Sequence, residues 1–181
     1  VLYALSLPNI YKSEALLAPV IDEDSAASSF QNYNSLASLA GINFRDSSGN
    51  KSKEAISILD SYNFFEKSFL PNIQLENLMA IDSWDRRSNL ISYNPDLFDY
   101  KESKWVRDVS FPKTSKPSPQ ESYKIFKNIF SISENLETGF VKISIDHQSP
   151  HIAKKWSDIL ITEINENFRK IDREEDRKST R

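Results

Sequence analysis

The sequence predicts an α+β fold: a small, mainly antiparallel sheet with flanking helices on one face, plus a long C-terminal amphipathic helix. Three observations lead there. Val141, Ile143 and Ile145 alternate with Lys142, Ser144 and Asp146, the period-two pattern of a strand with one buried face. Ile152, Trp156, Ile159, Leu160, Ile164, Phe168 and Ile171 then return at steps of three and four, which places them on one stripe of a helix. Elsewhere, strand-like and helix-like stretches follow one another with no internal repeat.

Taking the chain in order, Val1–Leu7 alternates weakly up to Pro8 and reads as a strand, and Tyr11–Val20 reads as a second extended stretch closed by Pro19. Proline beside a strand points to an edge or an end. Asp22, Glu23, Asp24 and Ser25 offer caps and an acidic first turn for a helix carrying Phe30, Tyr33, Leu36 and Leu39, with Gly41 as its stop. Asp46–Asn50 reads as a polar loop, and Asn50-Lys51-Ser52 fits the glycosylation acceptor pattern. Lys53–Phe69 reads as one or two helices with Leu59, Phe64, Phe65 and Phe69 on the apolar side, and Gln74–Ile81 as a further helical or mixed segment. Ser83–Pro119, with four prolines and Trp84, Phe98, Tyr100 and Trp105, reads as an ordered loop region pinned by aromatics. Ser118-Pro119 opens a helix with Tyr123, Phe126, Ile129 and Phe130 inward. Phe130–Ser133 is a strand, Glu134–Gly139 a hairpin connection with Gly139 suited to positive φ, and Phe140–His147 the return strand. Ser149 and Pro150 start the last helix, through a hydroxyl cap and a proline at the first helical position.

The totals exclude several functions. The chain has 181 residues, enough for one well-formed core and an appendage. Net charge is -3 with no basic block, so the clustered cations that a nucleic-acid backbone requires are missing and no nucleic acid is expected as a partner. With no cysteine there is no disulfide framework, thiolate metal site or cysteine nucleophile. The three glycines, Gly41, Gly49 and Gly139, lie too far apart for a phosphate-cradling loop. No run of about 18 apolar residues is present. The start without Met in VLYALSL and the stop at DREEDRKSTR read as cuts within a longer protein.

No catalytic constellation emerges, and no cofactor or metal is expected. His147 and His151 are four apart, but the Ser149-Pro150 junction separates a strand end from a helix start, and no third ligand is obvious. They read as capping or surface residues, bystanders to the junction. Asp146, His147 and Ser149 are too close in sequence for a hydrolytic triad. Asp82, Asp85, Asp96 and Asp99, with Trp84 and Tyr100, fit either a sugar cleft with paired carboxylates or ordinary loop residues anchored by aromatics; the second reading is preferred. The charged tail Arg169–Arg181 reads as a solvated helix face.

Four stretches in order resemble the chain-length determinant family, the polysaccharide co-polymerases of Gram-negative bacteria. They are LPNIYKSEALLAP (Leu7–Pro19), SLASLAGIN (Ser35–Asn43), PSPQESYKIF (Pro117–Phe126) and TGFVKISIDHQSPHIAKKWSDILITEINENFR (Thr138–Arg169). Gln74–Lys116 contributes little. The resemblance implies a periplasmic segment of an inner-membrane protein, anchored by spans outside this sequence. It implies a non-enzymatic homo-oligomer that sets the modal length of O-antigen in lipopolysaccharide, acting with a separate polymerase on lipid-linked polysaccharide. It divides the chain into an α/β base over residues 1–148 and the first part of a truncated extension helix over 149–181. Ser149 and Pro150 would be the helix start and hinge, and Trp156, Leu160, Ile164 and Phe168 core residues or subunit contacts. Family members continue beyond the position of Arg181, so the expectation is a fragment that folds but leaves a sheet edge or helix flank uncovered. The alternatives are the periplasmic domain of a capsule or exopolysaccharide co-polymerase linked to a cytoplasmic tyrosine kinase and, from a different class, a carbohydrate-active enzyme using Asp82–Asp99.

Overall fold

The alternation at Val141–Asp146 forms the central strand of an antiparallel sheet that has three strands among the described residues. The structure, a computed structural model, describes residues 8–18 and 45–179. The strand expected over Val1–Leu7 and the helix expected between Ser25 and Gly41 lie outside the described residues. In chain order, β1 is Tyr11–Leu17, α1 Arg45–Leu59 and α2 Tyr62–Phe64, continued by a π turn (Phe65–Phe69) and a 3-10 turn (Leu70–Asn72). The short helix α3 (Leu75–Met79) leads into β2 (Ile81–Asp85), β3 (Leu90–Tyr93), β4 (Phe98–Asp99) and β5 (Lys104–Trp105). Helix α4 (Pro119–Ile129), β6 (Phe130–Glu134), β7 (Val141–His147) and α5 (Pro150–Ser179) complete the described chain.

The main sheet has the order β1-β7-β6, with Tyr11 opposite His147 and Leu17 opposite Val141 on one side, and Phe130 opposite Ile145 on the other. Central position explains why β7 carries the strongest alternation: Val141, Ile143 and Ile145 are all buried. Each contributes about 1.5–3 kcal/mol through burial. The hairpin joining β6 to β7 turns as expected, with Gly139 at φ 72°, a conformation in which a Cβ would clash.

An aromatic column fills the space between sheet and helices. Phe126 of α4 lies 5.0 Å from Phe65, 4.8 Å from Phe69 and 4.9 Å from Phe130, and Phe69 meets Trp156 of α5 edge-on at 5.9 Å. The π turn brings two rings of one short segment, Phe65 and Phe69, into the same core. Helix α4 starts as its sequence foretold. Ser118 Oγ accepts from the Glu121 amide, Glu121 returns a bond to the Ser118 amide, and Pro119 follows the cap.

Two expectations need correction. The polar stretch Asp46–Asn50 is helical, because α1 begins at Arg45. Its glycine and serines are weak helix formers, but helix extends readily from turns that are already packed, here those around Ala55 and Leu59. In the same helix Ser52 is buried and donates to the Gly139 carbonyl, so the acceptor pattern at Asn50 ends on a core residue. The region expected as loop, Ser83–Pro119, contains two small antiparallel hairpins, β2-β3 and β4-β5. Ile152, Trp156, Leu160 and Ile164 of α5 pack in the same cluster as Ile143 and Ile145 of β7. What extends beyond that core is the end of α5, where Arg169, Lys170, Arg173, Glu174 and Arg177 are exposed.

Candidate functional site

Two features of the fold go beyond packing: the root of the long helix and an aromatic-lined cleft. Asn77 links them, bonded to His147 at the root and to Gln74 of the cleft.

At the helix root, β7 delivers His147 into the core, where the side chain is buried against Trp156 with ring centroids 4.9 Å apart. The Ser149 amide donates to His147 Nδ1 at 2.9 Å, and His147 Nε2 lies 3.1 Å from the Asn77 carbonyl. An amide donor at Nδ1 requires a lone pair there, so the proton sits on Nε2 and is donated to Asn77. The imidazole is neutral and has a partner on each nitrogen. Burial holds it below its ordinary 6.5, although the Asn77 carbonyl works in the opposite direction. Ser149 is itself buried and its carbonyl accepts from the Ala153 amide. The junction is a packed corner in which His147 is bonded to the Ser149 backbone. A buried imidazole also departs from the bystander reading. It could have been anticipated from its place in the β7 pattern, because His147 continues the inward series Val141, Ile143, Ile145. His151 sits apart, exposed on the first turn of α5 and edge-on to Trp84 at 6.2 Å. Among the described residues, no group of three His, Asp or Glu side chains is placed to hold a metal ion.

Trp156, Leu160 and Ile164 are each at most 1% exposed, and Phe168 is half-buried against the same cluster. Within this chain the first three pack in the core, while Phe168 keeps part of its ring accessible.

The cleft lies between the α3 segment, the β4-β5 hairpin and the wall at 114–119. It encloses about 630 Å³ and is lined by Leu70, Gln74, Glu76, Tyr100, Trp105 and Lys116, among others. Four rings meet at this hairpin, three from the hairpin itself and Tyr93 from β3. Phe98 is buried, faces Trp105 across the strand pair and meets it edge-on at 5.1 Å. Tyr93 is half-buried and stacks on Tyr100 at 5.7 Å, leaving Tyr100 72% exposed. The tip is shaped by Asp99, whose Oδ1 accepts from the Lys101 and Glu102 amides, and by Ser103 at φ 50°.

Arg107 builds the facing wall. Its guanidinium donates to the Thr114 and Ser115 carbonyls, each at 2.8 Å, and pairs with Glu121 at 3.2 Å. The hydrogen bonds from Arg107, with the Ser118 amide, hold the Glu121 carboxyl down at about 2. The 114–119 wall is thereby tied to the first turn of α4.

Asn77 joins the two features. Its carbonyl accepts from His147 Nε2–H, its Oδ1 accepts from the Tyr93 hydroxyl at 2.7 Å, and its Nδ2 donates to Gln74 of the cleft at 3.0 Å. Sequence reasoning missed this residue, since a lone asparagine in a short helix carries no spacing signal.

Two of the four acidic residues weighed as a possible carboxylate pair form turns. Asp85 Oδ1 accepts from the Arg87 and Ser88 amides and from the Ser88 hydroxyl, and the Ser88 bonds hold its carboxyl low. Asp99 serves the next hairpin in the same way, while Asp82 and Asp96 are exposed. Trp84, grouped with Tyr100 in the sequence, lies instead against Tyr11 and His151.

Comparison of the chain with family models, with curated proteins and with solved structures gives no match.

Proposed function

We propose that this chain is the base and first helical leg of a non-enzymatic periplasmic scaffold that governs polysaccharide chain length. In this reading it works as a homo-oligomer beside a separate O-antigen polymerase and is held at the inner membrane by segments outside these 181 residues. The observation that carries the reading is the form of α5. A helix of 30 residues, about 45 Å long, is rooted in the core through Ile164 and continues for roughly 16 Å beyond Phe168 as a charged rod. A helix that outruns its own core fits a protein whose neighbours supply the rest of the packing. The order of the four family-like stretches supports the same reading.

The test is deletion of the encoding gene, followed by electrophoresis of the lipopolysaccharide. The expected result is continued O-antigen synthesis with loss of the modal length. An unchanged length distribution refutes the proposal. Loss of capsule with an unchanged O-antigen ladder would favour the capsule co-polymerase reading instead.

A further inference from the structure

We infer that the cleft between α3, the β4-β5 hairpin and the 114–119 wall is a saccharide-binding subsite that takes pyranose rings on Tyr100 and Trp105. Sugars present two kinds of surface, a ring face of C–H groups and an edge of hydroxyls. A site for them needs flat aromatic faces with donors and acceptors close by. Both are here. Phe98, Tyr100 and Trp105 line the cleft; Tyr100 stacks on Tyr93 and Trp105 meets Phe98 edge-on. Glu76 supplies carboxylate acceptors, Lys116 donors, and Ser103 a hydroxyl, all on the same cleft.

Three further points favour a saccharide. An exposed tyrosine stacked on a half-buried one has its orientation fixed while its outer face stays wet, which suits a ligand that arrives hydrated. The wall opposite is set in advance by the Arg107 bonds to Thr114, Ser115 and Glu121, so little ordering remains to oppose a weak ligand. The lining carries one acidic and one basic side chain among polar and aromatic groups, so neither a polyanion nor a polycation is favoured. At about 630 Å³ the cleft has room for a short stretch of polymer rather than a single ring. That this polymer is the growing polysaccharide rests on the function proposed above; the binding chemistry does not.

The test uses the purified full chain and two probes, chitotriose and the delipidated O-polysaccharide of the source strain, followed by calorimetry and saturation-transfer NMR. Saturable binding of at least one probe is expected, with Kd of about 1 mM or tighter. Tyr100→Ala should weaken it by about tenfold or more, whereas Tyr100→Phe, which keeps the ring, should retain it. Tyr100 is largely exposed, so its replacement should leave the melting curve in place and separate lost binding from lost fold. Absence of saturable binding to either probe, or undiminished binding by folded Tyr100→Ala, overturns the inference. The two proposals fail separately. Saccharide binding together with an unaltered O-antigen ladder in the deletion strain removes the function and leaves the subsite. A disrupted ladder with no binding does the reverse.

Discussion

Replacing Trp156 with alanine tests whether the root of the long helix belongs to the core of this chain or to a contact between copies. The indole is 1% exposed, meets Phe69 edge-on at 5.9 Å and lies 4.9 Å from the His147 ring. Truncating a fully buried aromatic side chain costs about 3–5 kcal/mol in lost transfer energy and cavity. Two aromatic pairs are lost with it, so about 4 kcal/mol is a fair central figure. Set against a typical stability of about 5–15 kcal/mol, that is a large fraction. In urea, with a slope near 2 kcal/mol per molar, the midpoint should fall by about 2 M. Trp156→Phe should fall between the two, because it keeps a ring against Phe69. The assay is equilibrium unfolding followed by circular dichroism, with the oligomeric state measured in parallel. A second readout comes from His147. With the indole gone, water reaches the imidazole and its NMR titration should move up toward 6.5. A midpoint shift below about 0.5 M, together with lost self-association, would refute the core assignment.

Three other outcomes follow from the same contacts. His147 is neutral in the fold and its value lies below the 6.5 of the unfolded chain, so the unfolded state takes up the proton first as pH falls. Its contribution is therefore complete above about 6.5 and is lost progressively as pH drops toward the folded value; thermal melts across that window should show a slope that is reduced in His147→Gln. Glu121, held at about 2 against an ordinary 4.5, contributes stability that is complete above 4.5 and disappears as pH falls toward 2; Glu121→Gln should melt lower at neutral pH and show a flatter acid limb over that interval. Gly139→Ala places a Cβ at φ 72° and should cost about 1–2 kcal/mol in a urea titration, whereas an unchanged midpoint would mean that the hairpin relaxes to a different turn.

How much of this was legible in the sequence depended on whether the signal was local. The β7 alternation, the Ser118-Pro119 cap, the positive φ of Gly139 and the α5 stripe are each written in a short window, and each appears where expected. The two hairpins between Ile81 and Trp105 were not legible, because their strands are two to five residues long and their turns contain no glycine. They reverse at Asn89 and Ser103, both at positive φ, with help from Asp85 and Asp99. The aromatic content of the cleft was visible as Phe98, Tyr100 and Trp105, but which ring is buried and which exposed depends on strand register. Arg107 and Asn77 act on residues that no period connects to them, and Asn77 reaches His147 across 70 positions. Such contacts arise only once the chain is folded.

The proposed role in chain-length control is tested most directly by expressing the full-length gene in a host that has lost its own length regulator but retains its O-antigen polymerase. The lipopolysaccharide ladder is then read by electrophoresis. The account predicts that a modal band appears where the host alone shows none. A ladder that stays without a mode, while the protein is present in the membrane fraction, would contradict it.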